Sequence, residues 1–297
     1  MPFWEGRRVT RVALVGRAST RYARLALTGL VRTVAAASVL FGCKTADRPL
    51  SPGTEQLARQ MQSGRIGPDE FAYGIVYRLY APAACAPPRR CPLIVFLHGT
   101  GANGTDNLGQ LNEELSVLVA RAQEIEPTFV LAPQCPEGHK WVSGGLSTPH
   151  LNYRQDVRLQ SDASKLVLRL LEDLPKRWPI DPQRLTVTGF SAGGTGTWDI
   201  VSRPQRTLFA AAAPMSGAND PSRAASIVDL PIWAFHGALD RTSPASNSRE
   251  MVQELRKLGS KVRYTEYPDV GHNVWVKGYR EPELVPWLLA QRRADAP

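Results

Sequence analysis

Apolar and polar residues follow one another along the chain in blocks that predict strands and helices in alternation. Apolar runs without internal alternation are typical of parallel strands covered on both faces. Such runs predict strands at residues 72–80, 93–98, 128–133, 184–189, 209–215, 231–236 and 262–267. Apolar residues at helical spacing predict helices at residues 107–123, 157–174, 193–203, 245–258 and 282–292. The alternation predicts an α/β domain with a mostly parallel sheet.

One strand–helix junction carries a G-x-S-x-G pattern. The predicted strand 184–189 leads into Gly189-Phe190-Ser191-Ala192-Gly193, and small residues then begin the next predicted helix. In this context the pattern forms a tight turn that presents the serine hydroxyl at its apex. We therefore predict Ser191 as a nucleophile.

Two polar residues downstream supply the groups that a serine nucleophile needs. Asp240 follows the predicted strand 231–236, and His272 follows the predicted strand 262–267. The serine needs a base to take its proton, and the imidazole needs a carboxylate to fix its tautomer. Ser191, His272 and Asp240 are therefore the predicted triad. Asp269 is less favoured as the acid because it lies three residues before His272 on the same loop.

A glycine-rich turn upstream predicts an oxyanion hole. The motif HGTG (98–101) ends the predicted strand 93–98, so its backbone N–H groups face the carboxyl edge of the sheet. The amides of Ala192 and Thr100 are the predicted donors, and Gly101 is the alternative to Thr100.

Several aromatic and imidazole side chains near these strand ends have two interpretations. Trp141 and Trp275 are predicted to contact substrate, with loop packing as an equally weighted alternative. Trp198 is expected in the core. His98 and His236 both precede glycine at strand ends and are expected to be structural hydrogen-bonding residues beneath the site.

Six segments resemble the α/β-hydrolase superfamily, specifically its carboxylesterase and predicted-peptidase group. The segments are YRLYAP (77–82), PLIVFLHGTG (92–101), LAPQCPEG (131–138), TGFSAGGTGTWD (188–199), IWAFHGALD (232–240) and EYPDVGHNVW (266–275). The group includes dienelactone-hydrolase-like, feruloyl and acetylxylan esterases and polyhydroxybutyrate-depolymerase-like proteins. The resemblance implies an α/β-hydrolase fold with helices on both faces of the sheet and a cofactor-free serine esterase mechanism. Dienelactone hydrolases proper use a cysteine nucleophile, so Ser191 argues against that activity.

The predicted connection between the sixth and seventh strands, residues 217–230, is too short for a lid domain. An open cleft favours small-molecule esters with short acyl chains, or polymer-linked esters of the feruloyl, acetyl-sugar or polyester type, over long-chain lipids. Two alternatives stay open at this point. One is a prolyl-oligopeptidase-like serine peptidase, although no propeller domain is indicated. The other is a non-catalytic surface lipoprotein that keeps the fold for binding.

Basic residues concentrate at the start of the chain. Residues 1–43 carry seven arginines and one glutamate, a net +6 out of +9 for the whole chain, so the basic balance does not indicate nucleic-acid binding. An arginine-flanked apolar segment ends in LFGC (40–43), which resembles a bacterial lipobox with an atypical Phe41. We predict an exported leader at 1–43 with lipidation at Cys43, then a linker at 44–68 and a catalytic domain at 69–293. The alternatives to lipidation are plain signal cleavage and, if translation starts downstream of Met1, no processing. The protein is thus expected in the bacterial envelope, the periplasm or the medium, contacting a membrane only through that lipid.

Export allows a disulfide between Cys85 and Cys91, which flank a five-residue segment between two predicted strands. Cys135 is then left without a partner and is expected to be buried. No two of the five histidines have the helical spacing of metal ligands, so no metal site is predicted.

Overall fold

A computed structural model describes residues 51–69, 71–143, 154–156, 158–203 and 208–293. The strands are β1 (Met61–Ile66), β2 (Ile75–Tyr80), β3 (Cys91–Leu97), β4 (Phe129–Gln134), β5 (Ile180–Phe190), β6 (Ala211–Met215), β7 (Trp233–Gly237) and β8 (Arg263–Tyr267). The helices are α1 (Pro52–Gln60), α2 (Glu113–Ile125), α3 (Asp162–Arg177), α4 (Ala192–Val201), α5 (Ser246–Lys257), α6 (Trp275–Gly278) and α7 (Leu284–Ala290). Every predicted strand and helix overlaps one of these elements.

The strands form one sheet in the order β1-β2-β4-β3-β5-β6-β7-β8. Strand β2 runs antiparallel to both β1 and β4, and every other neighbouring pair is parallel. The carboxyl ends of β3 to β8 therefore meet at one edge of the sheet, where ligands bind in open α/β sheets. This confirms the predicted α/β-hydrolase architecture.

Helices cover both faces of the sheet, which explains the unbroken apolar runs. All seven residues of β3 are buried. Leu93 and Val95 belong to the hydrophobic cluster that includes the buried face of α3, whereas Ile94 and Phe96 belong to the cluster that includes α2 and α7. Because both faces are apolar, the sequence of β3 shows no polar alternation.

The predicted linker is the part of the domain scheme that the structure corrects. Residues 44–68 contain α1 and β1, and β1 pairs with β2 from Met61 opposite Tyr80 to Ile66 opposite Ile75. The sequence of β1, MQSGRI, has apolar residues only at its ends and a central glycine, so it shows neither a strand run nor an alternation.

The predicted leader 1–43, with Cys43, lies outside the described residues. Within the ranges that the structure describes, no helix combines the length and the apolar character needed to cross a bilayer.

Candidate active site

Ser191 lies at a tight turn between β5 and α4. Its φ of +54° falls in the left-handed region that residues other than glycine rarely occupy. A Cβ on Gly193 would lie 1.9 Å from the carbonyl oxygen of Leu97, so only glycine lets α4 begin this close to the end of β3. The local sequence thus forms the tight turn that the G-x-S-x-G pattern predicts.

Three side chains from three strand ends form one chain of hydrogen bonds. The Oγ of Ser191 lies 2.8 Å from Nε2 of His272, and Nδ1 of His272 lies 2.8 Å from Oδ2 of Asp240. The structure therefore brings the three residues of the predicted triad together. Asp269 is elsewhere, since its exposed carboxylate binds Lys277 at 2.8 Å.

The carboxylate of Asp240 is buried but well supplied with hydrogen-bond donors. Its Oδ1 accepts the backbone N–H groups of Thr242 at 2.9 Å and Ser243 at 2.8 Å. Burial by itself raises the pKa of Asp240, but hydrogen bonds from His236, His272 and the Ser243 amide outweigh it and hold that pKa well below its usual range. The ionised carboxylate accepts the Nδ1 hydrogen of His272, which leaves Nε2 of that ring to accept a proton from the serine.

The two predicted oxyanion donors border one cavity. Thr100 begins a short 3₁₀ helix (Thr100–Ala102), and Ala192 begins α4. N–H groups in the first turn of a helix have no acceptor within that helix, so they point outward. Both residues line a cavity of about 300 Å³, and Gly101 is not among the described residues that line it.

His98 holds the turn that contains Thr100 in place through two hydrogen bonds. Its ring is fully buried, with Nδ1 2.7 Å from the carbonyl oxygen of Gly99 and Nε2 3.0 Å from the amide nitrogen of Cys135. Since an amide N–H can only donate, Nε2 accepts and Nδ1 carries the hydrogen. Burial lowers the pKa of His98 to about 4, despite the opposing hydrogen bond to Gly99. The uncharged ring therefore ties the loop after β3 to the end of β4, the structural role expected of it.

The two tryptophans predicted to contact substrate lie in different places. Trp141 lines the cavity but is only 3% exposed, and its indole N–H donates to the carbonyl oxygen of His98 at 3.0 Å. Trp275 stacks on Phe190 with ring centroids 4.4 Å apart and meets the ring of His272 edge-on at 5.2 Å. Trp141 therefore forms part of the cavity wall, whereas Trp275 packs beside the candidate base.

Sequence reasoning missed most of the cavity wall. Its other lining residues are Asn103, Cys135, Gly138, His139, Lys140, Val142 and Thr195. Asn103 holds two parts of this wall together, because its side-chain amide donates to the carbonyl oxygens of Pro136 at 3.1 Å and His139 at 2.8 Å. One signal was available, since Thr195 follows Ser191 by one helical turn.

The predicted disulfide is present between Cys85 and Cys91, with their Cα atoms 5.9 Å apart. Cys91 is the first residue of β3, so the bond lies at the edge of the sheet opposite Ser191. Cys135 is buried and unpaired, and burial raises the pKa of its thiol to about 12. Among the described residues, no cluster of three or more His, Cys, Asp or Glu side chains has metal-binding geometry.

Comparison with known proteins shows the family to which the chain belongs. The sequence profile of the phospholipase/carboxylesterase family matches residues 83–281. The crystal structure of a thermostable esterase superposes with a TM-score of 0.71 at 36% identity, over 79% of this chain and 64% of that chain.

Two curated proteins match shorter stretches. A protein of Escherichia coli O157:H7 assigned as a carboxymethylenebutenolidase is 31% identical over 101 residues, 31% of this chain and 37% of that protein. A bifunctional acetylxylan esterase/xylanase of Neocallimastix patriciarum is 28% identical over 162 residues, 54% of this chain and 21% of that protein. The chain thus spans little more than a third of the first of these relatives. Since the family profile covers most of the chain, the protein belongs to the phospholipase/carboxylesterase family, a family of carboxylic ester hydrolases.

Proposed function

We propose that the protein is a serine carboxylesterase that hydrolyses short-chain or polymer-linked esters through a Ser191–His272–Asp240 triad. The observation that carries this proposal is the continuous hydrogen-bonded chain from Ser191 Oγ through His272 to Asp240, 2.8 Å at each link. Membership of an ester hydrolase family favours esters as the substrates.

In the first half of the reaction, Ser191 Oγ attacks the carbonyl carbon of the ester while Nε2 of His272 takes its proton. The carbonyl oxygen becomes an oxyanion that accepts hydrogen bonds from the amides of Thr100 and Ala192. When this intermediate collapses, the bond to the alcohol oxygen breaks, and His272 gives the proton to the leaving alcohol. The acyl group stays on Ser191.

In the second half, a water molecule replaces the alcohol. His272 takes one proton from the water as its oxygen adds to the acyl carbonyl carbon, and the same amides hold the oxyanion. The second collapse breaks the bond to Ser191 Oγ, which receives the proton back from His272, and the carboxylic acid leaves. Asp240 holds the ring of His272 in one tautomer throughout.

Three observations support short-chain or polymer-linked substrates. The connection between β6 and β7 contains one 3₁₀ helix (Pro221–Ile227) and no cap domain over the site. The cavity beside Thr100 and Ala192 measures about 300 Å³, which is small for a long acyl chain. The acetylxylan esterase activity named for the Neocallimastix patriciarum relative is of the polymer-linked type.

We also propose that the protein is exported and lipidated at Cys43. The disulfide between Cys85 and Cys91 supports export, because such bonds persist in oxidising compartments. Cells that express the chain and are fed labelled palmitate should incorporate label into the wild type and not into Cys43→Ala. Equal labelling of both proteins would contradict lipidation at this residue.

The decisive experiment is labelling with a fluorophosphonate probe, which reacts with activated serines. The wild type and Ser116→Ala, a serine control on α2, should label, whereas Ser191→Ala should not. Ser191→Ala should also lower kcat on the order of a millionfold. No labelling of the folded wild type would favour the non-catalytic alternative.

Substrate preference is measured with matched p-nitrophenyl esters of acetate, butyrate and palmitate, together with feruloyl and acetyl-sugar esters. Higher kcat/KM on palmitate than on acetate or butyrate would contradict the short-chain assignment. Faster cleavage of peptide anilides than of any ester would establish the peptidase alternative instead.

A further inference from the structure

We propose that His236 is a positioning residue for Asp240, a second imidazole that fixes the carboxylate on which His272 depends. This inference rests on the proposed triad and extends it by a residue that does not touch the reacting atoms. His236 lies in β7, four residues before Asp240, and its side chain is fully buried.

Nε2 of His236 contacts both the carboxylate of Asp240 and the turn that follows it. Its Nε2 lies 2.7 Å from the carbonyl oxygen of Ser243 and 3.3 Å from Oδ2 of Asp240. Both neighbours are acceptors, so Nε2 carries a hydrogen and is the donor. The same Oδ2 accepts the Nδ1 hydrogen of His272 at 2.8 Å. One carboxylate oxygen therefore lies between two imidazole rings.

The ring also fixes the turn that carries the acid. The amide of Ser243 donates to Oδ1 of Asp240, and the carbonyl oxygen of the same Ser243 accepts from His236. On its other side, Nδ1 of His236 lies 2.7 Å from Oγ of Ser248 on α5. The Asp240 carboxylate is thus connected to α5 through His236, and it is held directly at Oδ2 and through Ser243 at Oδ1.

Charged and titratable groups on neighbouring elements also face this ring. Glu266 pairs with His236 across β7 and β8, and its carboxylate binds Arg249 of α5 and accepts a hydrogen bond from Tyr264. Beyond Asp240 lies His272. Because Glu266 is already paired with a cation, Asp240 is the carboxylate that the donor on His236 affects most.

Loss of the Nε2 donor of His236 should change the pH dependence of activity, which a purely space-filling role of the ring does not predict. With one donor fewer, the Oδ2 of Asp240 keeps more negative charge and binds the protonated His272 ring more strongly. A protonated His272 ring cannot take the proton of Ser191, so kcat/KM begins to fall at a higher pH. The acid-side midpoint, which is the pH at which kcat/KM has fallen to half its plateau on the acidic side, therefore moves upward. The carboxylate also loses a fixed orientation, so it aligns the ring of His272 with Ser191 less precisely, which lowers kcat and leaves substrate binding unchanged.

Two amide variants separate the donor from the volume of the ring. In His236→Gln the side-chain amide reaches the place of Nε2 and keeps a donor toward Asp240. In His236→Asn the shorter amide reaches only the place of Nδ1, so the contact with Ser248 is kept and the donor is lost. We expect His236→Asn to lower kcat about tenfold with KM within about twofold, and His236→Gln to lower it less than about threefold. The acid-side midpoint should rise in the Asn variant only.

Equal kcat and equal pH profiles in the two variants would overturn the proposal, because a space-filling ring is replaced equally poorly by both amides. If His236→Asn does not fold, Ser248→Ala takes its place, since it frees the far side of the ring. It should raise the acid-side midpoint by a smaller amount, and an unchanged midpoint would then overturn the proposal.

Measurements on the wild type distinguish a failure of the proposed function from a failure of the positioning role. A folded wild type that neither labels with fluorophosphonate nor cleaves esters refutes the triad function, whatever the variants do. The geometry is then tested by the low-field proton NMR signal of the hydrogen between His272 and Asp240, which needs no activity. That signal should shift in His236→Asn and stay in place in His236→Gln. An unchanged signal in both would overturn the positioning role.

Discussion

A His-Gly pair follows β3 and another ends β7, and the two histidines position different groups of the candidate site. Both rings are fully buried. Among the described residues, the ring of His98 forms hydrogen bonds with backbone groups alone, the carbonyl oxygen of Gly99 and the amide of Cys135, and it meets the ring of Trp141 edge-on. His236 contacts a backbone carbonyl oxygen, a serine hydroxyl and, at 3.3 Å, the carboxylate of Asp240.

The difference separates two ways in which a buried imidazole can support an active site. The ring of His98 fixes peptide groups, so it sets where the N–H group of Thr100 lies. The ring of His236 fixes a charged side chain, so it also influences the pH dependence of that charge. Changes around β3 should therefore lower activity with the same pH profile, whereas changes around β7 should also shift the profile.

Within the comparison of β3 and β7, the largest effect is expected from Asp240, the acid that follows β7. Asp240→Asn should lower kcat about 10⁴-fold, because the amide no longer accepts the Nδ1 hydrogen and the ring of His272 adopts the wrong tautomer. Asp269→Asn is the matched control, since that carboxylate binds Lys277 on the surface. Steady-state kinetics on a p-nitrophenyl ester measures both. A comparable loss in the control would show that Asp240 is not the acid.

An intermediate effect is expected from the turn after β3. Thr100→Pro removes the N–H group of the proposed oxyanion donor and should lower kcat about a hundredfold. The backbone accommodates proline there, because Thr100 begins a helix and Gly99 is extended with φ −76° and ψ 171°.

Thr100→Ala keeps the amide and serves as the control for the side chain. Kinetics should show kcat near the wild-type value in this variant. If the alanine and proline variants are equally impaired, then the side chain and not the amide matters. If neither is impaired, the second donor is another group, with Gly101 as the remaining candidate.

The pH dependence of stability tests whether the ring of His98 stays uncharged in the folded protein. Its pKa is about 4 in the folded protein and 6.5 ordinarily, so the unfolded chain binds a proton first as the pH falls. Wild type therefore loses about 3 kcal/mol of its free energy of unfolding between pH 6.5 and pH 4 through this group alone. His98→Asn lacks this loss, so its deficit relative to wild type should shrink by that amount over the same range.

Urea unfolding of both proteins at several pH values measures the effect. A deficit that stays constant from pH 6.5 to pH 4 would mean that His98 does not remain uncharged in the folded protein. It would also remove the physical basis for the comparison between the two histidines.

The smallest effect is expected from the thiol beside His98. Cys135 holds the ring through its backbone amide, so Cys135→Ser should change kcat/KM less than about threefold. With its pKa raised to about 12 by burial, the wild-type thiol should also react with iodoacetamide far more slowly than an exposed cysteine. Rapid alkylation of the folded protein would show that the cavity wall opens.

The sequence was informative where a residue follows a strand, and uninformative where a loop determines the position. Ser191, Asp240 and His272 each follow a strand, and parallel strands bring their carboxyl ends to the same edge. The cavity wall around Lys140 follows from how the chain folds after β4, which no periodicity encodes. The contact between His236 and Asp240 has the same origin, because their spacing along an irregular turn has no regular geometry.

The N-terminal part of the domain was missed for another reason. Strand β1 is an edge strand that buries few side chains, so its sequence carries almost no apolar pattern. Its pairing with β2 depends on backbone hydrogen bonds, to which sequence patterns are insensitive.

The close approach of α4 to β3 also determines where this protein can change over evolutionary time. At Gly193 any side chain would overlap the backbone of Leu97, so a saturation library should recover glycine alone there. His139 and Lys140, by contrast, are exposed on the wall of the cavity and contribute no group to the triad. Directed evolution toward new esters should therefore accumulate substitutions in 139–140 while leaving the turn around Ser191 intact. One invariant reaction centre can in this way serve successive substrates.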